Sequence, residues 1–362
     1  MRDDGRRRGR GGRGHRRVHA SAGSGERLPL ILLNHRKDPP WRTCGATSSA
    51  VTVFGQSAGA AAVRTLLSVP AARGLFRRGI VQSAGFEDYA VVASPSAERV
   101  ARHSAALFDR LGSRDIDVLR GMPADAVREA SLLESGIVPP ASQVHTPANL
   151  VWYPARDDDV VAEDLSAWTR DVSVLFGTTQ DEARFFHRPT GLYSRPDVDP
   201  ADVYTPQTLA TMAGVLAGDR TVLAHHNPYE ALVELSTTAV WLEPALASYR
   251  RFAGLDRDAY YYHFARVSPA ARHSGLLACH GAELPYVFGT LRADDETDLA
   301  VSKTLRHAWT EFARTGRPRG PDGAAWPACT REAPRYTLIG DVTEPRHLTV
   351  NALTALISAR RG

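Results

Sequence analysis

The chain predicts an α/β fold: a mostly parallel, twisted sheet with helices on both faces. Three observations carry that prediction. Short β-rich apolar runs recur at Leu28–Leu33, Val51–Phe54, Gly79–Gly85, Asp171–Gly177 and Asp258–Phe264. Segments of helical pattern separate them, above all residues 94–135 and 205–253, and strands alternating with helices imply parallel pairing with covered faces. Finally, 43% of the 362 residues are hydrophobic, ample for a sizeable core in one large domain or two smaller ones.

The formal charge of +4 belongs to one end of the chain. Residues 1–20 hold eight Arg and two Asp, so the remainder nets −2. Residues 1–25 are Arg, Gly and Ser with almost no apolar content and are expected to be a disordered tail. Such a tail could meet RNA through phosphate charge. It lacks the aromatic residues that stack on bases, so no nucleic-acid partner is expected. Cys44, Cys279 and Cys329 are few, odd in number and widely spaced; they form no zinc pattern and no disulfide framework. A reducing, cytoplasmic compartment is the simplest expectation. No apolar run nears the ~18 residues that span a membrane, and Leu28–Leu33 is too short for a signal-peptide core.

Taken in order, residues 26–50 read as an irregular segment holding one short buried strand, Leu28–Leu33, followed by a loop through Asp38-Pro39-Pro40-Trp41. Residues 51–362 read as the folded domain. Its first strand, Val51–Phe54, leads into a helix over Ala60–Leu67 that ends near Val69-Pro70. Gly79–Gly85 is a second buried strand of the domain, closed by a turn. Ala97–Leu111 and a segment from about Pro123 to Leu133 are helical in pattern, and Pro139 and Pro140 break it. Asp171–Gly177 is the third strand, Asp258–Phe264 the fourth. Ser302–Thr315 is an amphipathic helix capped by Gly316 and stopped by Pro318.

The first strand runs into Gly55-Gln56-Ser57-Ala58-Gly59, then Ala60 and Ala61. Strand, sharp turn with Ser at its tip, then helix is the nucleophile-elbow pattern. A strained turn projects the hydroxyl above the sheet, while Gly55 and Gly59 leave room for strand and helix to approach. Such a Ser needs a base to take its proton and a carboxylate to orient that base. In α/β-hydrolases these follow in the order Ser, Asp/Glu, His, on loops beyond strand ends. Glu182 follows the third strand, with Asp181 beside it as a rival. His280 lies on the loop after the fourth strand. His263 falls inside that strand and reads as a core residue; His307 lies on a helix; His103, His145, His187 and His273 have weaker contexts. The tetrahedral intermediate needs backbone N–H donors, of which Ala58, directly after the Ser, is the expected one.

These motifs resemble the type-B carboxylesterase family, which includes cholinesterases and bacterial para-nitrobenzyl esterases. Val51–Gly59 resembles its elbow, and Ile80–Gly85 its next strand. Phe176–Glu182 resembles its acid loop, and His280–Gly289 its His loop. Trp309–Pro318 with Trp326-Pro327 resembles its C-terminal helix and the segment after it. The resemblance spans about residues 50 to 340. It implies an α/β-hydrolase fold, Ser57, Glu182 and His280 as catalytic residues, a neutral small-molecule carboxylic ester as substrate, and no metal or organic cofactor. Gln56, Ser83 and Glu283 are the expected supporting residues around them.

Two departures qualify that expectation. Gln56 stands where Glu is commoner, and Ala183 where Gly is usual after the acid. More seriously, only about fifty residues precede the elbow, where family members carry several strands and a His-Gly-Gly turn that completes the oxyanion hole. Arg27–His35 faintly resembles the strand leading into that turn, yet Arg36-Lys37 stand where its glycines belong. A missing oxyanion donor costs on the order of 10²–10³ in kcat, and an unpaired elbow strand would present a bare apolar edge. The expectation is therefore an N-terminally truncated esterase, residues 1–50 being in part not natively translated. The alternatives are an inactive or weak fragment, or an esterase-like interaction domain. No pattern in the chain speaks to oligomeric state.

Overall fold

The computed structural model describes residues 30–31, 50–84, 97–135, 154, 160–161, 171–187, 228–253, 259–292, 295–330 and 334–359. The tail 1–25, most of 26–50, Pro139-Pro140, His145, Cys44 and residues 205–227 lie outside them. Among the described residues seven strands form one sheet in the order β1 to β7: β1 (Leu30–Ile31), β2 (Thr52–Gln56), β3 (Arg78–Gln82), β4 (Ser173–Thr179), β5 (Ala259–Phe264), β6 (Arg335–Ile339) and β7 (Thr343–His347). The first five pairings are parallel and β6–β7 is antiparallel.

Helices lie in the described parallel crossovers from β2 onward, as expected where parallel strands are linked. Between β2 and β3 runs α1 (Ala58–Leu66). Between β3 and β4 come α2 (Ala97–Leu111), α3 (Ile116–Gly121) and α4 (Ala124–Ser135). Between β4 and β5 lie α5 (Pro228–Thr237) and α6 (Glu243–Ala253), joined by a π-helical turn at Thr238–Leu242. Pro244 accounts for that turn: it has no N–H to donate, and its ring clashes with the carbonyl four residues back, so the helix widens. Beyond β5 follow α7 (Pro269–Ser274), α8 (Leu284–Phe288), the long α9 (Glu296–Thr315) and, after β7, α10 (Ala352–Ser358).

Strand alternation divides the core into two layers. Val53, Val81, Val174, Phe176 and Tyr261 pack with Val63 of α1 and Leu246, Tyr249 and Phe252 of α6. Ile80, Leu175, Tyr260, Tyr262 and Phe264 face the other way, onto Leu305, Trp309 and Phe312 of α9. Neighbours such as Val174 and Leu175 fall on opposite faces because the side-chain period is two, which is why these strands read as continuous apolar runs. A fully buried side chain of this size contributes about 1.5–3 kcal/mol, so the two layers together dominate folding. Gly177 is required by packing: a Cβ there would lie 1.9 Å from the ring of Tyr262, its partner on β5.

Most predicted elements recur within two residues of their expected ends, and α2 matches at both. The elbow strand is paired on this side at its first two residues, Thr52 and Val53, with Leu30 and Ile31. The hairpin β6–β7, the short α3, α7, α8 and α10, and the first six residues of α9 were not anticipated. Among the described residues no helix is long and apolar enough to cross a membrane.

Candidate active site

The site is assembled from the C-terminal ends of β2, β3, β4 and β5. Ser57 sits between β2 and α1 at φ 56° and ψ −122°, a left-handed φ that non-glycine residues rarely adopt. Its N–H donates to the Gln82 carbonyl at 2.9 Å, which pins the turn to the end of β3. Gly55 permits the turn: a Cβ there would lie 2.3 Å from the Gly59 carbonyl carbon and 2.8 Å from the Ala60 nitrogen. Gly59 is different. A Cβ at Gly59 meets nothing within 4 Å among the described residues, so what Gly55 needs is the nearness of the Gly59 backbone, and the expected clearance role of Gly59 itself does not hold. Ala58 opens α1, where the first backbone N–H groups have no acceptor within the helix. That exposed helix start is a favourable place for negative charge.

Two loops meet beside this turn. After β4, a tight helical turn at Glu182–Phe185 holds Glu182 fully buried. After β5, the chain returns through Cys279 and His280. The loops are joined by backbone bonds: Asp181 N–H donates to the Ala278 carbonyl at 2.9 Å, and His280 N–H to the Glu182 carbonyl at 3.3 Å. His280 Nδ1 lies 2.6 Å from Glu182 Oε2, and the other carboxylate oxygen accepts the Thr179 N–H at 2.8 Å. Asp181 faces elsewhere, accepting from Ala278 N–H at 3.2 Å and pairing with Arg184. His280 Nε2 lies 3.0 Å from Gln56 Nε2. The rings of Trp241, from the π turn, and of Phe186 each sit 5.3 Å from the imidazole, centroid to centroid, with Phe185 at 6.4 Å. The Ser57 hydroxyl makes no hydrogen bond to a described residue.

An ionic clamp holds both ends of the loop that carries His280. Arg266, just past β5, bonds Asp298 at 2.7 Å, Asp341 at 2.6 Å and Asp295 at 2.8 Å. Tyr286 Oη donates to the same Asp298 oxygen at 2.7 Å, and Ser302 Oγ to the Tyr286 carbonyl at 2.8 Å. The loop is thereby anchored to the start of α9 before and after the imidazole.

Behind the imidazole lies a second buried carboxyl. Glu283 Oε1 accepts from Gln82 Nε2 at 3.0 Å, and Gln82 Oε1 accepts from Trp309 Nε1 at 3.2 Å. Glu283 Oε2 and Ser83 Oγ are buried without a partner among the described residues. Burial, with the neighbouring Glu182 charge, pushes Glu283 up to about 7. Ser83 has φ 54° and donates its N–H to the Gly177 carbonyl at 2.8 Å.

The competing histidines fall elsewhere. His263, within β5, bonds Thr178 Oγ1 at 3.1 Å, and burial pushes it down to about 4. His187 bonds Ser236 Oγ at 3.2 Å and is likewise pushed down to about 4 by burial. His103, His273 and His307 lie on α2, α7 and α9. Cys279 and Cys329 are buried free thiols. Among the described residues no group of three or more His, Cys, Asp or Glu could hold a metal ion. Sequence reasoning missed Gln82, Trp309, Trp241 and Phe186. For Gln82 a signal was present: a polar residue closing a buried apolar strand must find a partner.

The order of chain elements and this corner of the sheet agree with comparison against known proteins. Residues 43–354 match the model of the carboxylesterase family. The chain belongs to the carboxylesterase family. It is 27% identical over 317 residues to a para-nitrobenzyl esterase of Bacillus subtilis, covering 82% of this chain and 59% of that protein. It is 25% identical over 338 residues to a phenmedipham hydrolase of Pseudarthrobacter oxydans, covering 85% of this chain and 64% of that one. A solved PNB esterase structure superposes with a TM-score of 0.64 at 25% identity, over 83% of this chain and 62% of that one. The fold is thus the α/β-hydrolase fold. The chain spans about three fifths of the length of these relatives.

Proposed function

We propose that the chain is a serine carboxylic-ester hydrolase working through an acyl-enzyme. The observation that carries this reading is the 2.6 Å contact of His280 Nδ1 with buried Glu182, beside a Ser held at positive φ on the elbow. In the proposed scheme, Ser57 Oγ attacks the ester carbonyl carbon and its proton passes to His280 Nε2. The carbonyl electrons move onto oxygen, and the oxyanion is stabilised by the Ala58 N–H at the start of α1. Collapse restores the carbonyl, breaks the bond to the alkoxy oxygen, and His280 returns the proton so that alcohol leaves. Water then attacks the acyl carbon with His280 again as base, releasing acid and Ser57. Glu182 keeps the Nδ1 proton in place and stabilises the imidazolium. Trp241, Phe185 and Phe186 make the surroundings of the imidazole apolar, which suits a neutral substrate. The esterases among its relatives support the reaction class, and no metal or organic cofactor enters the scheme.

The test is hydrolysis of para-nitrophenyl butyrate by the purified chain beside Ser57→Ala, with a cooperative thermal transition confirming the fold of both. The expected result is a rate that falls by at least roughly 10⁴-fold in the variant. A folded chain with no Ser57-dependent rate would sink the proposal and leave the reading of an inactive esterase-like fragment.

A further inference from the structure

Among the described residues, the side chain hydrogen-bonded to the reactive nitrogen of His280 is not the serine. Gln56 closes β2, one residue before Ser57, and its Nε2 lies 3.0 Å from His280 Nε2. The tautomer follows from the other side of the ring. Nδ1 lies 2.6 Å from Glu182 Oε2, and an ionised carboxylate only accepts. Nδ1 therefore carries the proton, and the neutral ring presents a bare lone pair at Nε2. An amide N–H satisfies that lone pair, so the amide orientation and the tautomer agree. Proton abstraction from Ser57 needs the same lone pair.

We propose that Gln56 is a positioning residue that holds His280 in its Nδ1-protonated neutral form and competes with the Ser57 hydroxyl for Nε2. When the ring takes up a proton, Nε2 becomes a donor and faces the amide donor at the same 3.0 Å. Two donors cannot share that contact, so the amide must turn to offer Oε1. In that orientation Oε1 accepts a hydrogen bond from Nε2–H. The Gln56 amide is thus a neutral partner for either charge state of the ring, at the cost of one rotation per change. Gly281, at φ 77°, leaves the amide its space: even a Cβ there would stand 3.5 Å from Gln56 Nε2. The other groups facing the ring are the Glu182 carboxylate on the turn after β4, Glu283 three residues beyond the imidazole, and the uncharged rings of Trp241, Phe185 and Phe186. Asp181 and Cys279 adjoin this corner, and Asp181 is turned onto Ala278 and Arg184. Gln56 is therefore the one neutral hydrogen-bonding group at Nε2 among the described residues.

The inference rests on His280 being the base, and its test does not depend on turnover. The full chain carrying Ser57→Ala is labelled with ¹⁵N-histidine, and the His280 signals are assigned by their loss in His280→Gln. They are then followed against pH in that background alone, with Gln56→Glu and with Gln56→Met. A carboxylate at position 56 favours the imidazolium, so the titration midpoint should rise by about one unit or more in Gln56→Glu. In the near-isosteric Gln56→Met, the Nε2 resonance should lose the signature of an accepted hydrogen bond. In the serine-containing protein, the acid limb of kcat/KM should move upward with Gln56→Glu by the same amount. Unchanged His280 signals in both folded variants would overturn the inference. Shifted signals without any esterase activity would uphold it and overturn the hydrolase reading instead.

Discussion

Two glutamates, 101 residues apart in sequence but both adjoining His280, are buried to the same degree and held in opposite ways. Glu182 and Glu283 are each fully inaccessible. Glu182 has a backbone N–H on one oxygen and the imidazole on the other. Glu283 has one amide donor, Gln82, and an oxygen without a partner among the described residues. A buried carboxylate keeps its charge only when donors replace the water it lost. Burial, and after it the neighbouring Glu182 charge, push Glu283 up to about 7 against the Gln82 amide and its own N–H, which act the other way. Equal burial therefore does not make the two glutamates equivalent, because their partners differ oxygen by oxygen.

Replacing each acid by its amide sharpens the contrast. Glu182→Gln leaves the packing intact but removes the acceptor that fixes the Nδ1 proton. On the hydrolase reading, kcat/KM for para-nitrophenyl butyrate should fall by roughly 10³–10⁴-fold. A loss below tenfold would mean that Glu182 does not orient His280.

Glu283→Gln should act on stability instead. Raised from its ordinary 4.5 to about 7, Glu283 keeps in the folded state a proton that the unfolded chain releases. Its contribution is complete below about 4.5 and is lost as pH rises through 7. Urea unfolding at pH 5 and pH 8 should show the variant gaining on the parent by on the order of 3 kcal/mol across that window. Parallel profiles would mean that Glu283 titrates normally.

The smallest effect is expected at Gln82. Gln82→Leu removes the donor to Glu283 and the acceptor for Trp309. Unfolding at pH 7 should be easier by about 1–3 kcal/mol. Combined with Glu283→Gln the two effects should not add, because the two residues share one bond. Additive effects would mean that the contact contributes nothing.

Much of this architecture was legible in the chain. The apolar runs at Val51–Phe54, Gly79–Gly85, Asp171–Gly177 and Asp258–Phe264 became neighbouring parallel strands, because strands buried on both faces must be apolar throughout. The helix Ala97–Leu111 was read to the residue from its periodicity. The hairpin Arg335–His347 escaped notice. Its second strand, with Pro345 and exposed Arg346 and His347, lies at the sheet's edge and is shaped by pairing rather than by an apolar pattern. Local sequence also misjudged Gly59, since its pairing with Gly55 suggested two glycines making room where only one does.

By itself the sequence determined that the apolar runs from Val51 to Phe264 are strands of a mostly parallel sheet, that Ser57 sits at a sharp turn between the first of them and a helix, and that Glu182 and His280 lie on loops after successive strands. These follow from propensity, glycine placement and periodicity, all written in a few adjacent residues. Only the tertiary structure shows how Glu182, the expected acid, meets the imidazole while its neighbour Asp181 does not. The backbone bonds that join their loop to Ala278 and His280 turn Asp181 outward and Glu182 in. The same holds for Gln56 against Nε2 and for Trp241, brought against the ring by the widened turn before Pro244. Such contacts join residues far apart in the chain, so no local pattern encodes them; they exist only once the sheet has closed its layers.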